Sequence, residues 1–222
     1  MNNLFGGSIL YLSENENKLI KTAGPTVIYP PGQLVFAAGE IADRVYFMEK
    51  GIVKIFKLTT CGNYCTVALR FPGDFIGLAE VLYGGRRSCY AEVMEEAHMT
   101  IIQKTVLENM LMQHPDIAVK VAQILGARLR EAQSKLFEMA CYQVPSRLAL
   151  LLLKTSERLG EKTDEGIKLK VKFTHEEMAY MVGTSRPSVT VALKMFEKEK
   201  SIKRTKSGEI IITCAETLKK WI

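Results

Sequence analysis

Residues 173–200 read FTHEEMAYMVGTSRPSVTVALKMFEKEK, which is typical of two short helices joined by a tight turn. Thr174 is suited to cap the first helix, because Glu177 follows at the spacing of a capping box. Gly183 then permits the backbone to turn, and Ser185 is suited to cap the second helix. The stretch predicts a helix-turn-helix, and a surface helical hairpin without a ligand is the alternative interpretation.

The second helix of this pair has one apolar and one polar face. Its apolar side chains recur at helical spacing and are expected to face the core: Val189, Ala192, Leu193 and Phe196. The opposite face is short, carries two cations and suits the width of a DNA major groove. The predicted DNA contacts are Ser185, Arg186, Pro187, Ser188, Val191 and Lys194, together with Thr174 and His175 at the start of the first helix, where phosphate can approach.

The basic charge of the chain lies in the part that contains this stretch. The 222 residues carry a formal charge of +6. From Pro145 onward there are 16 Lys and Arg against 10 Asp and Glu, and before Pro145 the count is 14 against 14. Binding to phosphate requires such an asymmetry, although a solvated basic face produces the same count.

Composition also excludes several classes of protein. No stretch reaches the roughly 18 consecutive apolar residues of a membrane span, and the N-terminus lacks the regions of a signal peptide. The five cysteines, an odd number and widely scattered, fit a reducing compartment rather than a disulfide framework. We therefore expect a cytoplasmic protein with no membrane partner.

From about Val27 the sequence changes to short strand-like runs separated by Gly and Pro. The predicted strands are 27–29, 34–36, 44–48, 51–58, 65–71, 90–93 and 99–103. Turn signals at this density predict an antiparallel roll or barrel.

Three motifs in this region, in this order, resemble the cyclic-nucleotide-binding β-roll: Pro31-Gly32 with Gly39-Glu40, Tyr46-Phe47-Met48-Glu49-Lys50-Gly51, and Pro72-Gly73-Asp74-Phe75-Ile76-Gly77. With the helix-turn-helix, the chain resembles the CRP/FNR family of bacterial transcription regulators from about Val27 to its end. The resemblance implies an α+β protein with a β-roll sensing domain at 1–114, a long dimerisation helix at 115–142 and a winged helix-turn-helix DNA-binding domain at 143–222. Its implied partners are double-stranded DNA, a second copy of the chain and RNA polymerase.

The segment from Pro115 to about Ala140 has the pattern of one long helix. A seam with coiled-coil spacing runs along it: Ala118, Ala122, Leu125, Leu129, Ala132, Leu136 and Met139. Beside it lies a second stripe of Ile117, Val121 and Ile124. One stripe is expected to pack on the roll and the other to meet a partner, an intramolecular core helix being the alternative. The family resemblance implies a parallel homodimer along this helix.

Beyond the long helix, residues 143–146 are predicted to form a hinge, and Ser146 is suited to cap the next helix. Ile167, Leu169 and Val171 alternate with lysines, as in a strand with one wet face. Residues 201–204 and 209–213 flank a short turn, which predicts the hairpin of a winged helix. Lys203, Arg204 and Lys206 in this hairpin are predicted to reach phosphate.

The effector site is predicted from the resemblance. In that family a Gly-Glu pair, a loop and an Arg-Ser or Arg-Thr pair bind the cyclic phosphate and ribose. Here Arg87 and Ser88 match the phosphate-binding pair, and their guanidinium and hydroxyl suit an anion. Leu78 after Gly77 replaces the ribose-binding Glu, and Glu80 is out of register.

The adenine-reading Thr-Ser pair of the cyclic-AMP-binding members falls at Ala132 and Gln133. The predicted effector site is therefore Gly77, Leu78, Glu80, Arg87, Ser88, Ala132 and Gln133. With two of three ligand features missing, an anionic or aromatic small molecule is expected rather than cyclic AMP. A pocket that has lost its ligand is the alternative.

Cys61 and Cys65 flank a predicted hairpin turn and leave a redox-responsive regulator as an alternative. No His or Cys accompanies them at the spacing of a metal finger, so no metal or other certain cofactor is predicted. No nucleophile–base or phosphate-cradle motif is present, so an enzyme is not predicted. A sensor module whose output is a protein partner is the remaining alternative, and the basic C-terminal part favours DNA.

Overall fold

The computed structural model describes residues 12–60, 62, 64–205 and 207–222. The chain forms two compact units, one that ends at Glu131 and one that runs over Ala132–Ile222. The division falls inside the long helix rather than at its ends. A separate dimerisation segment at 115–142 therefore stays a prediction.

The first unit is built on an antiparallel sheet. Its strands are β1 (Thr26–Tyr29), β2 (Leu34–Phe36), β3 (Arg44–Leu58), β4 (Tyr64–Arg70), β5 (Phe75–Ile76) and β6 (Tyr90–Gln103). The order is β1-β6-β3-β4, with β2 paired to β6 and β5 paired to β3. The helices are α1 (Glu14–Lys21), α2 (Leu78–Tyr83), α3 (Lys104–Gln113) and the first part of α4 (Pro115–Cys141). The antiparallel β architecture predicted from the turn signals is confirmed.

Two pairs of predicted strands are single strands in the structure. The turn signal around Gly51 does not end β3, because β6 continues beside it and the register shifts between Met48 and Val53 instead. Gly51 has φ of +93°, and a Cβ there would lie 2.4 Å from the Glu96 carbonyl oxygen. Gly51 therefore allows a β-bulge at which β3 lies close to the backbone of β6. The sequence around Gly51 does not distinguish such a bulge from a turn.

The helix α4 contributes its second stripe to the core of the first unit. Ile117 and Val121 are buried with Phe47, Phe75 and other side chains of the sheet. This confirms that one stripe packs on the roll. No helix in the described part of the chain is both long enough and apolar enough to cross a membrane.

The second unit contains the end of α4 and the predicted winged helix. Its helices are α5 (Val144–Leu159), α6 (His175–Val182), α7 (Arg186–Lys198) and α8 (Ala215–Lys219), and its strands are β7 (Gly160–Thr163), β8 (Gly166–Leu169), β9 (Ile202–Arg204) and β10 (Ile210–Ile212). The strands pair in the order β7-β8-β10-β9. The strand β7 was not predicted, since its exposed polar sequence has no strand-like alternation.

The predicted capping role of Ser146 is wrong. The residue at the N-cap of α5 is Gln143, and no side-chain bond caps this helix. Ser146 instead donates its hydroxyl to the backbone carbonyl of Trp221. The ring centres of Trp221 and Phe196 lie 5.6 Å apart in an edge-on arrangement. The C-terminal segment therefore contacts both α5, through Ser146, and α7, through Phe196.

Candidate DNA interface and effector site

The helix-turn-helix is formed by α6 and α7 with the predicted caps. The Thr174 hydroxyl accepts from the backbone N–H of Glu177 at 3.1 Å, and the Glu177 carboxylate accepts from the Thr174 N–H at 2.7 Å. Gly183 follows α6 with φ of +65°, a left-handed conformation that suits glycine. Ser185 then caps α7 by accepting from the N–H of Ser188. The predicted caps at both helix starts and the predicted glycine turn are therefore present.

The two faces of α7 divide as predicted. Val189, Ala192, Leu193 and Phe196 are buried. The opposite face is open to solvent along its length and presents Arg186, Pro187, Val191 and Lys194. This face is about the size that a major groove accepts.

The cations of this unit differ in how freely they can meet a phosphate. Lys168 lies 3.0 Å from a Glu209 carboxylate oxygen, and Lys203 lies 2.7 Å from Glu165. In contrast, Arg186 and Lys194 are exposed and form no ion pair among the residues that the structure describes. Some cations of this unit are therefore paired with carboxylates of the same unit, and the two cations of α7 are available to bind phosphate. Lys206 lies outside the described residues.

Ser188 and His175, like the capping residues Thr174 and Ser185, have side-chain partners within the chain. The hydroxyls of Ser188 and Ser185 lie 2.9 Å apart, so Ser188 takes part in the cap of α7. Both ring nitrogens of His175 are engaged, Nδ1 at 2.8 Å from the Thr190 hydroxyl and Nε2 at 3.0 Å from an Arg204 nitrogen. A direct phosphate contact by the His175 ring would have to displace one of these partners.

Arg87 of the predicted effector site is buried, with only 3% of the residue exposed. Its guanidinium donates to the carbonyl of Gly77 at 2.8 Å and to the carbonyl of Arg44. Its central carbon lies 4.3 Å from the centre of the Phe36 ring. Gly77 has φ of +73°, and a Cβ there would lie 2.2 Å from the nearest guanidinium nitrogen. A side chain at position 77 would therefore require the guanidinium to move.

The other predicted effector residues fall into three places. Ser88 is exposed and donates its hydroxyl to the Glu80 carboxylate at 2.8 Å, so this pair lies beside Arg87. Leu78 is fully buried in the hydrophobic core, because α2 turns its side chain inward. Its place among the ligand contacts stays a prediction. Ala132 and Gln133 are exposed on α4 within the other compact unit, and their place in the site stays a prediction.

Burial governs the electrostatics of this site. It lowers the pKa of Arg87, while Tyr46, Glu80 and Asp43 act in the opposite direction. Burial also raises the pKa of Tyr46 to about 12. Arginine stays charged under all such shifts, so the site holds a buried cation. The Nε of Arg87 finds no acceptor among the described residues.

The cysteines form no constellation in the described part of the chain. Cys65 is an exposed free thiol on β4, and Cys61 lies outside the described residues. Among the residues described, no group of three or more His, Cys, Asp or Glu could hold a metal ion.

An antiparallel roll with a buried arginine, followed by a winged helix-turn-helix, defines a DNA-binding regulator with a sensing domain. Residues 26–114 match the cyclic nucleotide-binding domain, and residues 146–221 match the Crp-like helix-turn-helix domain. The transcriptional regulator SdrP of Thermus thermophilus is 31% identical over 199 residues, which are 89% of this chain and 90% of that protein. The chain belongs to the CRP/FNR family of bacterial transcription regulators.

Two further comparisons agree. The CRP-like cAMP-activated global transcriptional regulator of Mycobacterium tuberculosis is 29% identical over 192 residues, 86% of this chain and 85% of that protein. The crystal structure of a CRP/FNR-family transcriptional regulator of Thermus thermophilus matches this chain with a TM-score of 0.75 and 26% identity. The match covers 89% of this chain and 97% of the chain in that crystal structure. The predicted family, fold class and regulator function are thereby confirmed.

Several residues that shape these sites carried no recognisable sequence signal. The carbonyl of Arg44 and the ring of Phe36 hold Arg87 from distant strands. Within α7, Thr190 bonds directly to His175, and Glu197 holds Arg204, the other partner of that ring. Each of these contacts depends on the tertiary fold rather than on sequence spacing.

Proposed function

We propose that the chain acts as a homodimer whose two α7 helices enter successive major grooves of double-stranded DNA, and whose affinity is set by a small molecule bound at Arg87. The carrying observation is the exposed face of α7, whose two cations have no ion-pair partner among the described residues while the opposite face is buried. The two α7 helices of the dimer would have to lie about 34 Å apart to enter successive major grooves. A cytoplasmic location and contact with RNA polymerase belong to the same proposal.

Each exposed residue of α7 has a role in this proposal. Arg186 in the first turn is suited to donate two hydrogen bonds to a guanine edge. Pro187 and Val191 can make only apolar contacts, for example to a thymine methyl group. Lys194 and the helix N-termini capped by Thr174 and Ser185 are suited to phosphate.

The effector proposal rests on the cation of Arg87. An unpartnered N–H on a buried guanidinium favours an anionic ligand, since that ligand completes its hydrogen bonds. Ser88 is exposed beside Arg87, and its hydroxyl can donate to the same ligand instead of to the Glu80 carboxylate. The buried Leu78 supplies no group for a ribose, so we propose an anionic small molecule other than cyclic AMP.

The DNA-binding function is tested by selection of bound sequences from a random pool, followed by a salt titration with the winning duplex. We expect one preferred sequence with two-fold symmetry. The logarithm of its association constant should fall linearly with the logarithm of salt concentration, by about 0.9 per phosphate contacted. An affinity independent of salt, or a pool without a preferred sequence, would contradict the proposal and favour a protein partner.

The homodimer is tested on the seam of α4, where Leu129 and Leu136 are 62% and 71% exposed. Apolar side chains exposed in a row along a helix favour a partner. Leu136→Glu should convert the dimer to a monomer, because it would place a charge in the seam. Sedimentation velocity measures this change.

The matched control for the seam is Ser134→Glu. Ser134 is exposed on α4, about 200° around the helix from Leu136. The Ser134→Glu substitution adds the same charge to the same helix and should leave the dimer intact. A dimer that survives Leu136→Glu, or a wild-type monomer, would contradict the seam assignment.

A further inference from the structure

A chain of hydrogen bonds between half-buried side chains joins both helices of the helix-turn-helix to the wing strand β9. Arg204 of β9 donates to the two carboxylate oxygens of Glu197 at 2.6 and 2.8 Å. Its Nη1 lies 3.0 Å from Nε2 of His175, the first residue of α6. Nδ1 of His175 lies 2.8 Å from the hydroxyl of Thr190, which donates to the carbonyl of Arg186 at 3.1 Å.

Only one protonation state of His175 satisfies every bond in this chain. A guanidinium has donors and no acceptor, so Nε2 of His175 must accept from Arg204 and carries no proton. The proton of the neutral ring is then on Nδ1 and is donated to Thr190, whose own hydrogen goes to the Arg186 carbonyl. A protonated ring would present a second donor to Arg204 and break the chain at that point.

The surroundings of the ring also oppose its protonation. Burial lowers the pKa of His175, the cations Arg204 and Arg186 lower it further, and Glu197 acts in the opposite direction. The carboxylates on its own helix are engaged elsewhere, Glu176 by the Tyr180 hydroxyl and Glu177 by the cap at Thr174. The neutral ring is therefore the form that this part of the fold stabilises.

The chain of bonds ends at the backbone of the residue that is proposed to read a base. We propose that neutral His175 is a positioning residue for DNA recognition: through Thr190 and Arg204 it holds the first turn of α7 and the wing strand β9 in one arrangement, and protonation of the ring reduces discrimination between the preferred DNA sequence and random DNA. This inference rests on the proposed DNA-binding function.

The direction of the pH dependence follows from the lowered pKa of His175. The folded unit binds this proton less readily than the unfolded chain does, so stability rises with pH. The contribution is complete above the ordinary histidine pKa of about 6.5 and is lost as the pH falls through the lower value of the folded state. Discrimination between DNA sequences should fall over the same range.

The test compares affinities for the selected duplex and for a random duplex of equal length, from about pH 7.5 down to the pH at which NMR shows that the His175 ring is protonated. A proton on His175 attracts both duplexes alike, so the ratio of the two affinities removes that general effect. The wild-type ratio should fall by about threefold to tenfold toward the lower pH, the worth of about one hydrogen bond. In His175→Gln the ratio should stay constant, because the amide supplies a donor and an acceptor and does not titrate.

The matched control is His98→Gln in the other compact unit, which should keep the wild-type pH profile. A wild-type ratio that does not change with pH would overturn the proposal, as would a His175→Gln variant with the wild-type profile. Nitrogen NMR at a pH where the His175 ring is neutral gives a readout without DNA. A proton found on Nε2 of His175 in that spectrum would also overturn the proposal. A random pool without any preferred sequence would count against the DNA-binding function instead.

Discussion

Arg186→Ala is expected to weaken binding to the selected duplex by about 1–3 kcal/mol, or about fivefold to 150-fold, and to relax the preference at one base pair of each half-site. Arg186 is exposed in the first turn of α7, and Ser185 caps the helix immediately before it, so its guanidinium can reach a base edge. Binding to random DNA should weaken much less, since it depends on charge alone. Affinities for the selected duplex, its single-base variants and a random duplex measure these effects.

The control for this prediction is Lys194→Ala, which removes the same charge from the same exposed face. It should weaken binding to all sequences by a similar factor and reduce the salt dependence by about one contact. Arg186→Lys keeps the charge and loses the paired donors, so it should resemble the alanine variant in specificity. Equal losses on selected and random DNA for Arg186→Ala would leave this arginine with a phosphate contact only.

The sequence predicted the helix-turn-helix well because its determinants are local. The capping box at Thr174, the left-handed Gly183 and the cap at Ser185 each involve residues that lie within a few positions of one another. The spacing of Val189 and Phe196 likewise identified the buried face of α7. Contacts of this kind leave a pattern in the sequence that physical chemistry can interpret.

The states of individual side chains could not be predicted in the same way. The sequence predicted Arg87 as part of an anion site, but its burial against Phe36 and its bond to Arg44 depend on strands far apart in sequence. The same holds for Lys168, whose charge is balanced by Glu209 across the wing. Such pairings are fixed by the tertiary fold, and a count of charges along the chain does not show them.

Gly77→Ala is expected to destabilise the sensing unit by about 2–4 kcal/mol. Part of this is the cost of a left-handed backbone for alanine, and the rest follows because a Cβ would lie 2.2 Å from Nη1 of Arg87. The guanidinium ends a flexible side chain, but it cannot move without losing its bonds to the Gly77 and Arg44 carbonyls. Urea unfolding followed by circular dichroism measures the loss, while the single tryptophan, Trp221, reports on the other unit.

Gly73→Ala separates the two causes, because Gly73 has φ of +90° and open space where its Cβ would lie. It should cost only the backbone strain, about 1–2 kcal/mol. In an Arg87→Ala background, Gly77→Ala should likewise fall to the cost of Gly73→Ala, because the obstructing guanidinium is gone. If Gly77→Ala costs as much without Arg87 as with it, the arginine does not occupy the space that Gly77 leaves, and the effector site proposed around it is wrong.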